Sequence, residues 1–220
     1  MKGFIVTVDG PAGSGKSTIA KLIAKKYDLT YLDTGAMYRM IALYVLKHGV
    51  GLEDKKAIAD MLEKADLDID GDRFYLDGED VTEMIRTPEV NRIVSPVAAI
   101  KEVRKKLVDM QREISKGKRT ILDGRDIGTA VFPDADVKIF LVASPEVRAL
   151  RRLKEYEQKG VKTTYEEVLE SIKERDYIDS TRKESPLVKA DDAHEVDSSK
   201  MTIDKVLDKI SEYIEEKIGE

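Results

Sequence analysis

The stretch Gly10-Pro11-Ala12-Gly13-Ser14-Gly15-Lys16-Ser17 decides how the rest of the chain is read. It has the spacing of a phosphate-binding loop: two glycines with four residues between them, then a lysine and a hydroxyl. The apolar run Phe4-Ile5-Val6-Thr7-Val8 precedes it, and a helical pattern from Thr18 to Lys26 follows. A polyphosphate needs many N–H donors at close range. The main chain must wrap it with no Cβ atoms in the way, which Gly10, Gly13 and Gly15 permit. A helix starting near Lys16 turns its positive end to the phosphates. Lys16 would then reach the β- and γ-phosphates, and the Ser17 hydroxyl would ligate Mg²⁺. The loop alone leaves kinase, switch and motor open.

Working outward, a chain of 220 residues can bury one good core. Its 37% charged and 41% hydrophobic residues are those of a globular chain. The absence of Cys excludes a disulfide framework or thiolate metal site, and two His make a His-based zinc site a poor expectation. A net charge of −5 argues against broad nucleic-acid binding. No apolar run has the length of a membrane span. Met1-Lys2-Gly3 leads at once into the first strand, so a cytoplasmic protein is expected.

Strands and helices alternate downstream. Thr30–Asp33 reads as a strand, and a helix opens at Thr34 and is stopped by Gly49 and Gly51. Leu52 to Ala65 is amphipathic. From Leu67 to Val81 the texture changes to alternation with Asp70-Gly71-Asp72 and Asp77-Gly78 turns, a small antiparallel meander. Short helices broken at Pro88 and a long helix from Pro96 to Lys116 should follow. Thr120–Asp123, Val137–Val142 and Ala193–Val196 are further strands, with helices from Pro145 to about Gly160, from Thr164 to about Ile178 and from Ile203 onward. The expected class is α/β, a P-loop NTPase-type three-layer fold of about five parallel strands with helices on both faces and a small antiparallel β insertion.

Two further stretches follow strands and should sit at the carboxyl edge of the sheet. In Asp33-Thr34-Gly35-Ala36-Met37-Tyr38-Arg39, Arg39 is placed to meet a phosphate. In Asp123-Gly124-Arg125-Asp126, Asp123 has the position of a Walker-B-type acid that could hold Mg²⁺ or its water. Arg148, Arg151 and Arg152 share one helical face by their spacing, and Arg175, Asp179 and Arg182 repeat the pattern. Grouped arginines suit bidentate binding of phosphate oxygens and neutralisation of a transferring phosphoryl group, although each alone could equally serve a surface ion pair. A guanine-reading Asn-Lys-x-Asp stretch, which a GTPase switch would need, is absent.

Together these stretches resemble the cytidylate kinase family, the bacterial CMP/dCMP kinases among the nucleoside monophosphate kinases. The likeness extends through Glu79-Asp80-Val81, Ile85-Arg86-Thr87, Asp123 to Thr129, Val131 to Ala135, Lys138 to Leu141, Ile172 to Asp176 and Pro186-Leu187. It implies a single kinase domain over 1–220, with an NMP-binding region at 34–117, its β insertion at about 67–81, and a lid with adjoining helices at 148–182. It implies ATP as donor, held by Gly10, Pro11, Ala12, Gly13, Ser14, Gly15, Lys16, Ser17 and Thr18, with Mg²⁺ on Ser17 and Asp123. CMP or dCMP would be the acceptor, held by Thr34, Tyr38, Arg39, Ser95, Arg104, Arg125, Asp126, Arg175, Asp179 and Arg182. Among these, Asp126, Ser95 and Arg104 would read the base, Arg39 and Arg125 the monophosphate, and Asp179 with Arg175 the sugar hydroxyls. Lys16, Arg125, Arg151 and Arg182 would be catalytic, and Arg148, Arg151 and Arg152 would belong to the lid helix. A monomer with no nucleic-acid or membrane partner is the expectation.

Overall fold

The sheet is built around its first strand. In the computed structural model, which describes residues 3–158 and 160–219, β1 (Phe4–Asp9) lies between β6 (Arg119–Gly124) and β7 (Val137–Val142) and pairs in parallel with both. With β2 (Thr30–Asp33) and β8 (His194–Asp197) the order is β2-β6-β1-β7-β8. The expected five-stranded parallel sheet is therefore present. The expectation placed on Met1 and Lys2 lies outside the described residues.

Side chains of β1 alternate between the two faces, as the period of a strand requires. Val6 and Val8 are fully buried in a cluster with Ile19, Ala20 and Ile23 of α1 (Lys16–Tyr27) and Val206, Ile210 and Ile214 of α8 (Ile203–Gly219). Thr7 and Asp9 point to the opposite face, where a wide turn over Ile127–Val131 packs on β1. That turn, with hydrogen bonds reaching five residues along, was not signalled by any apolar period. Helices α6 (Pro145–Gln158) and α7 (Tyr165–Thr181) share a smaller core of Ala149, Val168 and Ile172.

Thr164 starts α7 with a reciprocal cap. Its hydroxyl accepts from Glu167 N–H at 3.2 Å, and the Glu167 carboxylate accepts from Thr164 N–H at 2.9 Å. Thr164→Ala should therefore lower unfolding free energy by about 1 kcal/mol in urea denaturation, and a loss under about 0.3 kcal/mol would show that this cap carries no weight.

The chain divides into two compact units, Met1–Leu32 with Ser115–Glu220, and Asp33–Ile114. In the second, α2 (Thr34–His48) is buried along much of its length, including Met37, Met40 and Ile41, and packs on α4 (Pro88–Ala98). α3 (Lys55–Lys64) starts later than its apolar pattern, because the Asp54 carboxylate accepts from the Lys56 and Ala57 N–H groups and fixes the start. The meander is a three-stranded antiparallel sheet of β3 (Leu67–Asp70), β4 (Arg73–Leu76) and β5 (Glu79–Asp80).

One boundary differs from expectation. The expected break at Pro88 separates a 3-10 turn at Met84–Arg86 from α4, but no new helix starts at Pro96, because α4 runs through it to Ala98. The break falls at Ala99–Ile100, before α5 (Lys101–Ser115). There the helix tightens, Ala99 N–H donating to the Ser95 and Pro96 carbonyls and Ile100 N–H to Val97. Among the described residues no helix is long and apolar enough to cross a membrane.

Candidate active site

Gly10 leaves β1 at φ 145°, and a Cβ there would lie 2.1 Å from the Leu141 carbonyl oxygen of β7. No side chain can be accommodated, so the loop turns where the sheet allows only glycine. Gly15 caps α1 without a side-chain bond, which leaves the first-turn N–H groups to a ligand. Lys16 is buried, its Nζ donating to the Pro11 carbonyl at 2.7 Å. Burial first, and then the Arg125 guanidinium, push its ammonium well below the usual lysine range, against the pull of Asp123. Ser17 Oγ donates to Asp123 Oδ2 at 2.9 Å, and Tyr31 OH donates to Asp123 Oδ1 at 2.7 Å. A hydroxyl and a carboxylate side by side suit a small hard cation that keeps waters and phosphate oxygens as its other ligands.

The carboxyl end of β6 continues into a charge cluster within the same unit. Arg125 Nε donates to Asp179 Oδ2 at 2.9 Å, and Arg175 Nε lies 3.9 Å from the same oxygen. Burial raises the Asp179 carboxyl, but Arg125 and Arg175 outweigh it and hold it below the usual range. Arg182 Nη2 lies 3.5 Å from Asp126 Oδ1, and its Nε donates to the Ser185 carbonyl at 2.8 Å. The structure thus brings Lys16, Ser17, Asp123, Arg125, Asp126, Arg175, Asp179 and Arg182 into one neighbourhood.

The three arginines of α6 separate. Arg151 donates to Ser14 O at 3.3 Å and to Ser198 O at 2.8 Å, beside the loop. Arg152 donates to Tyr156 OH at 3.2 Å. Arg148, on the same helix, is 2% exposed and turned inward. It donates to Ala12 O at 3.1 Å and Ala143 O at 2.8 Å, and forms a two-pronged pair with Asp176 at 3.0 and 2.5 Å. It therefore buttresses the loop from below.

In the second unit, the Asp33 carboxylate caps α2 by accepting from Ala36 N–H at 2.8 Å and pairs with Arg86 at 3.1 Å. Arg39 Nη1 donates to the Asn91 side chain. Arg104 is buried, donates to Ala98 O at 3.3 Å and lies 5.6 Å over the Tyr38 ring. Thr34, Tyr38 and Ser95 are buried in this unit as well.

Sequence reasoning missed Asp9, Tyr31, Asp176 and Ser198. Asp9 had a signal, since it stands directly before Gly10 at the end of an otherwise apolar strand. The others come from distant segments and are visible only once the sheet is assembled.

Comparison with known proteins bears on the whole chain. The model of the cytidylate kinase family matches residues 6–216. A cytidylate kinase of Fusobacterium nucleatum subsp. nucleatum is 60% identical over 215 residues, covering 98% of this chain and 99% of that relative. One from Clostridioides difficile (strain 630) is 51% identical over 210 residues, covering 96% of this chain and 97% of that relative. The crystal structure of an uncharacterized protein from Eubacterium ventriosum ATCC 27560 aligns with a TM-score of 0.55 at 14% identity, over 96% of this chain and 98% of that one, a likeness of fold. With a phosphate loop of this construction and a match that runs almost from end to end, the chain belongs to the cytidylate kinase family.

Proposed function

We propose that this chain transfers the γ-phosphoryl group of ATP to CMP and dCMP, giving ADP and CDP or dCDP. An oxygen of the acceptor monophosphate forms the new bond to the γ-phosphorus, and the bond to the bridging oxygen of ADP breaks. No covalent intermediate is needed, because the attacking oxygen is already anionic. Catalysis is then positioning and charge neutralisation, by Lys16 with Arg125, Arg151 and Arg182. Gly10 through Thr18 bind ATP, and Ser17 with Asp123 would hold Mg²⁺, which neutralises phosphate charge when bound.

For the acceptor, Arg39 and Arg125 are assigned to its phosphate, and Asp179 with Arg175 to its sugar. Thr34 and Tyr38 are assigned to acceptor binding. Asp126 accepts from the N4 amine of cytosine, while Arg104 and Ser95 take its acceptor edge. Uracil reverses that pattern at positions 3 and 4 and would leave buried groups unpaired, at about 1–3 kcal/mol each. The observation that carries this reading is the gathering of cations in the first unit, on Asp123, Asp126 and Asp179. Lys16, Arg125, Arg175 and Arg182 crowd together despite the cost to Lys16. That density suits two phosphate-bearing substrates better than one.

The working arrangement is a single kinase domain acting as a cytoplasmic monomer, with 34–117 as the NMP-binding region and 148–182 as lid and adjoining helices. A coupled ADP-release assay across CMP, dCMP, UMP, AMP and shikimate tests the reading. CMP and dCMP should be turned over, with UMP disfavoured by about tenfold or more in kcat/KM. Equal use of UMP and CMP would defeat the base assignment.

A further inference from the structure

Asp9 has no role in the reaction as described, yet its surroundings are specific. It is 5% exposed at the end of β1, on the face opposite Val6 and Val8. Its Oδ1 accepts from Ile127 N–H at 2.9 Å and its Oδ2 from Gly128 N–H at 2.7 Å. These are the opening donors of the wide turn that follows Asp126. Inside the turn, Asp126 O accepts from Ala130 N–H at 2.8 Å and Val131 N–H at 3.3 Å, and Ile127 O accepts from Phe132 N–H at 2.7 Å. The first N–H groups of such a turn have no acceptor within it, and the Asp9 carboxylate takes two of them.

The seat is tight. A Cβ on Gly128 would meet Thr7 Oγ1 at 3.0 Å, Lys138 Cδ at 3.2 Å and Asp9 Oδ2 at 3.3 Å. Burial pushes the Asp9 carboxyl up to about 6, against the pull of both N–H bonds. A buried carboxylate is a costly way to fill a strand position. A neutral side chain would fill the space, but only a carboxylate offers two acceptor oxygens to two adjacent N–H groups. The clamped segment lies directly after Arg125 and Asp126, whose side chains meet Asp179 and Arg182.

We propose that Asp9 is a positioning residue: by clamping the Ile127–Gly128 main chain to the strand that launches the phosphate loop, it fixes where Asp126 and Arg125 meet the acceptor nucleotide. This rests on Asp126 being the reader of the cytosine edge. The clamp then acts first on acceptor recognition, because both of its hydrogen bonds go to the segment after Asp126 and none to the loop.

The test uses Asp9→Asn, which keeps the shape but turns one acceptor into an NH₂ group facing an N–H. Gly128→Ala disturbs the same contact from the other side and leaves the carboxylate in place. Each variant should raise KM for CMP and lower the CMP:UMP ratio of kcat/KM, both by about tenfold, with KM for ATP within about twofold of the parent. An equal fall in CMP and UMP turnover, with both KM values unchanged, would overturn the proposal and make Asp9 a general structural residue. A CMP:UMP ratio at the parent value in folded Gly128→Ala would overturn it also if Asp9→Asn fails to fold. A parent enzyme that shows no preference for CMP would defeat the function reading and this inference with it. A parent preference that survives in both variants would defeat the inference alone.

Discussion

Replacing Lys16 with alanine is expected to lower kcat by at least about a thousandfold, the scale of losing a principal charge-stabilising group at a phosphoryl centre. The fold should be unaffected. Lys16 is buried with its Nζ on the Pro11 carbonyl at 2.7 Å, and both burial and Arg125 disfavour its charge. The native structure therefore carries this cation at a cost to itself, and its removal takes away an unfavourable group. On the proposed reaction, a bound polyphosphate would make the same ammonium strongly favourable. Steady-state ADP release and thermal melting check the two halves of the prediction. Activity within about tenfold of the parent would mean that the phosphoryl group is stabilised elsewhere.

Arg148→Met is expected to have the largest effect on stability, about 3 kcal/mol, or a fall of roughly 6–12 °C in melting temperature for a chain of this size. The substitution keeps much of the volume but removes the fork that holds Asp176, Ala12 O and Ala143 O. Asp176 would lose its partner, and two carbonyls on a buried surface would lose a donor. The loss falls at the low end for a broken buried pair because the Asp176 side chain is 26% exposed. Arg148→Lys should recover less than half of the loss, since an ammonium has three N–H groups on one atom and lacks the planar fork that makes four bonds here. Equilibrium urea unfolding measures both variants, and a loss under about 1 kcal/mol for Arg148→Met would show that solvent replaces the arginine well.

The fold was legible where a residue type had one use. The glycines before Lys16 placed the loop, and the Gly71 and Gly78 turns divided the strands of the meander. The break between α4 and α5 was not legible, because Val97, Ile100, Val103 and Leu107 continue at helical spacing across it. Pro96 drew the boundary to itself. It lacks an N–H, which usually marks a helix start, but the loss of one bond is tolerated near the end of α4. For the site, residue types were informative and partners were not. Arg148 and Arg151 look equivalent on a helical wheel. One faces the interior and the other the loop, and the difference depends on Asp176 and Ser198, supplied by other segments. Asp9 stands out as an acid that ends an apolar strand, but its partners are backbone N–H groups that no sequence pattern marks.

The strand order has a consequence for how the chain is made. β1 is synthesised before its neighbours, which begin at Arg119 and Val137, so Phe4 waits for Arg119 and Val6 for Val137. The stretch Asp33–Ile114 emerges in between as one uninterrupted unit with its own meander. During translation this inner unit is complete while the apolar Phe4–Val8 segment still has both edges bare. The phosphate loop therefore precedes both of its flanking strands in the chain, and its sheet can form only once β6 and β7 have been made.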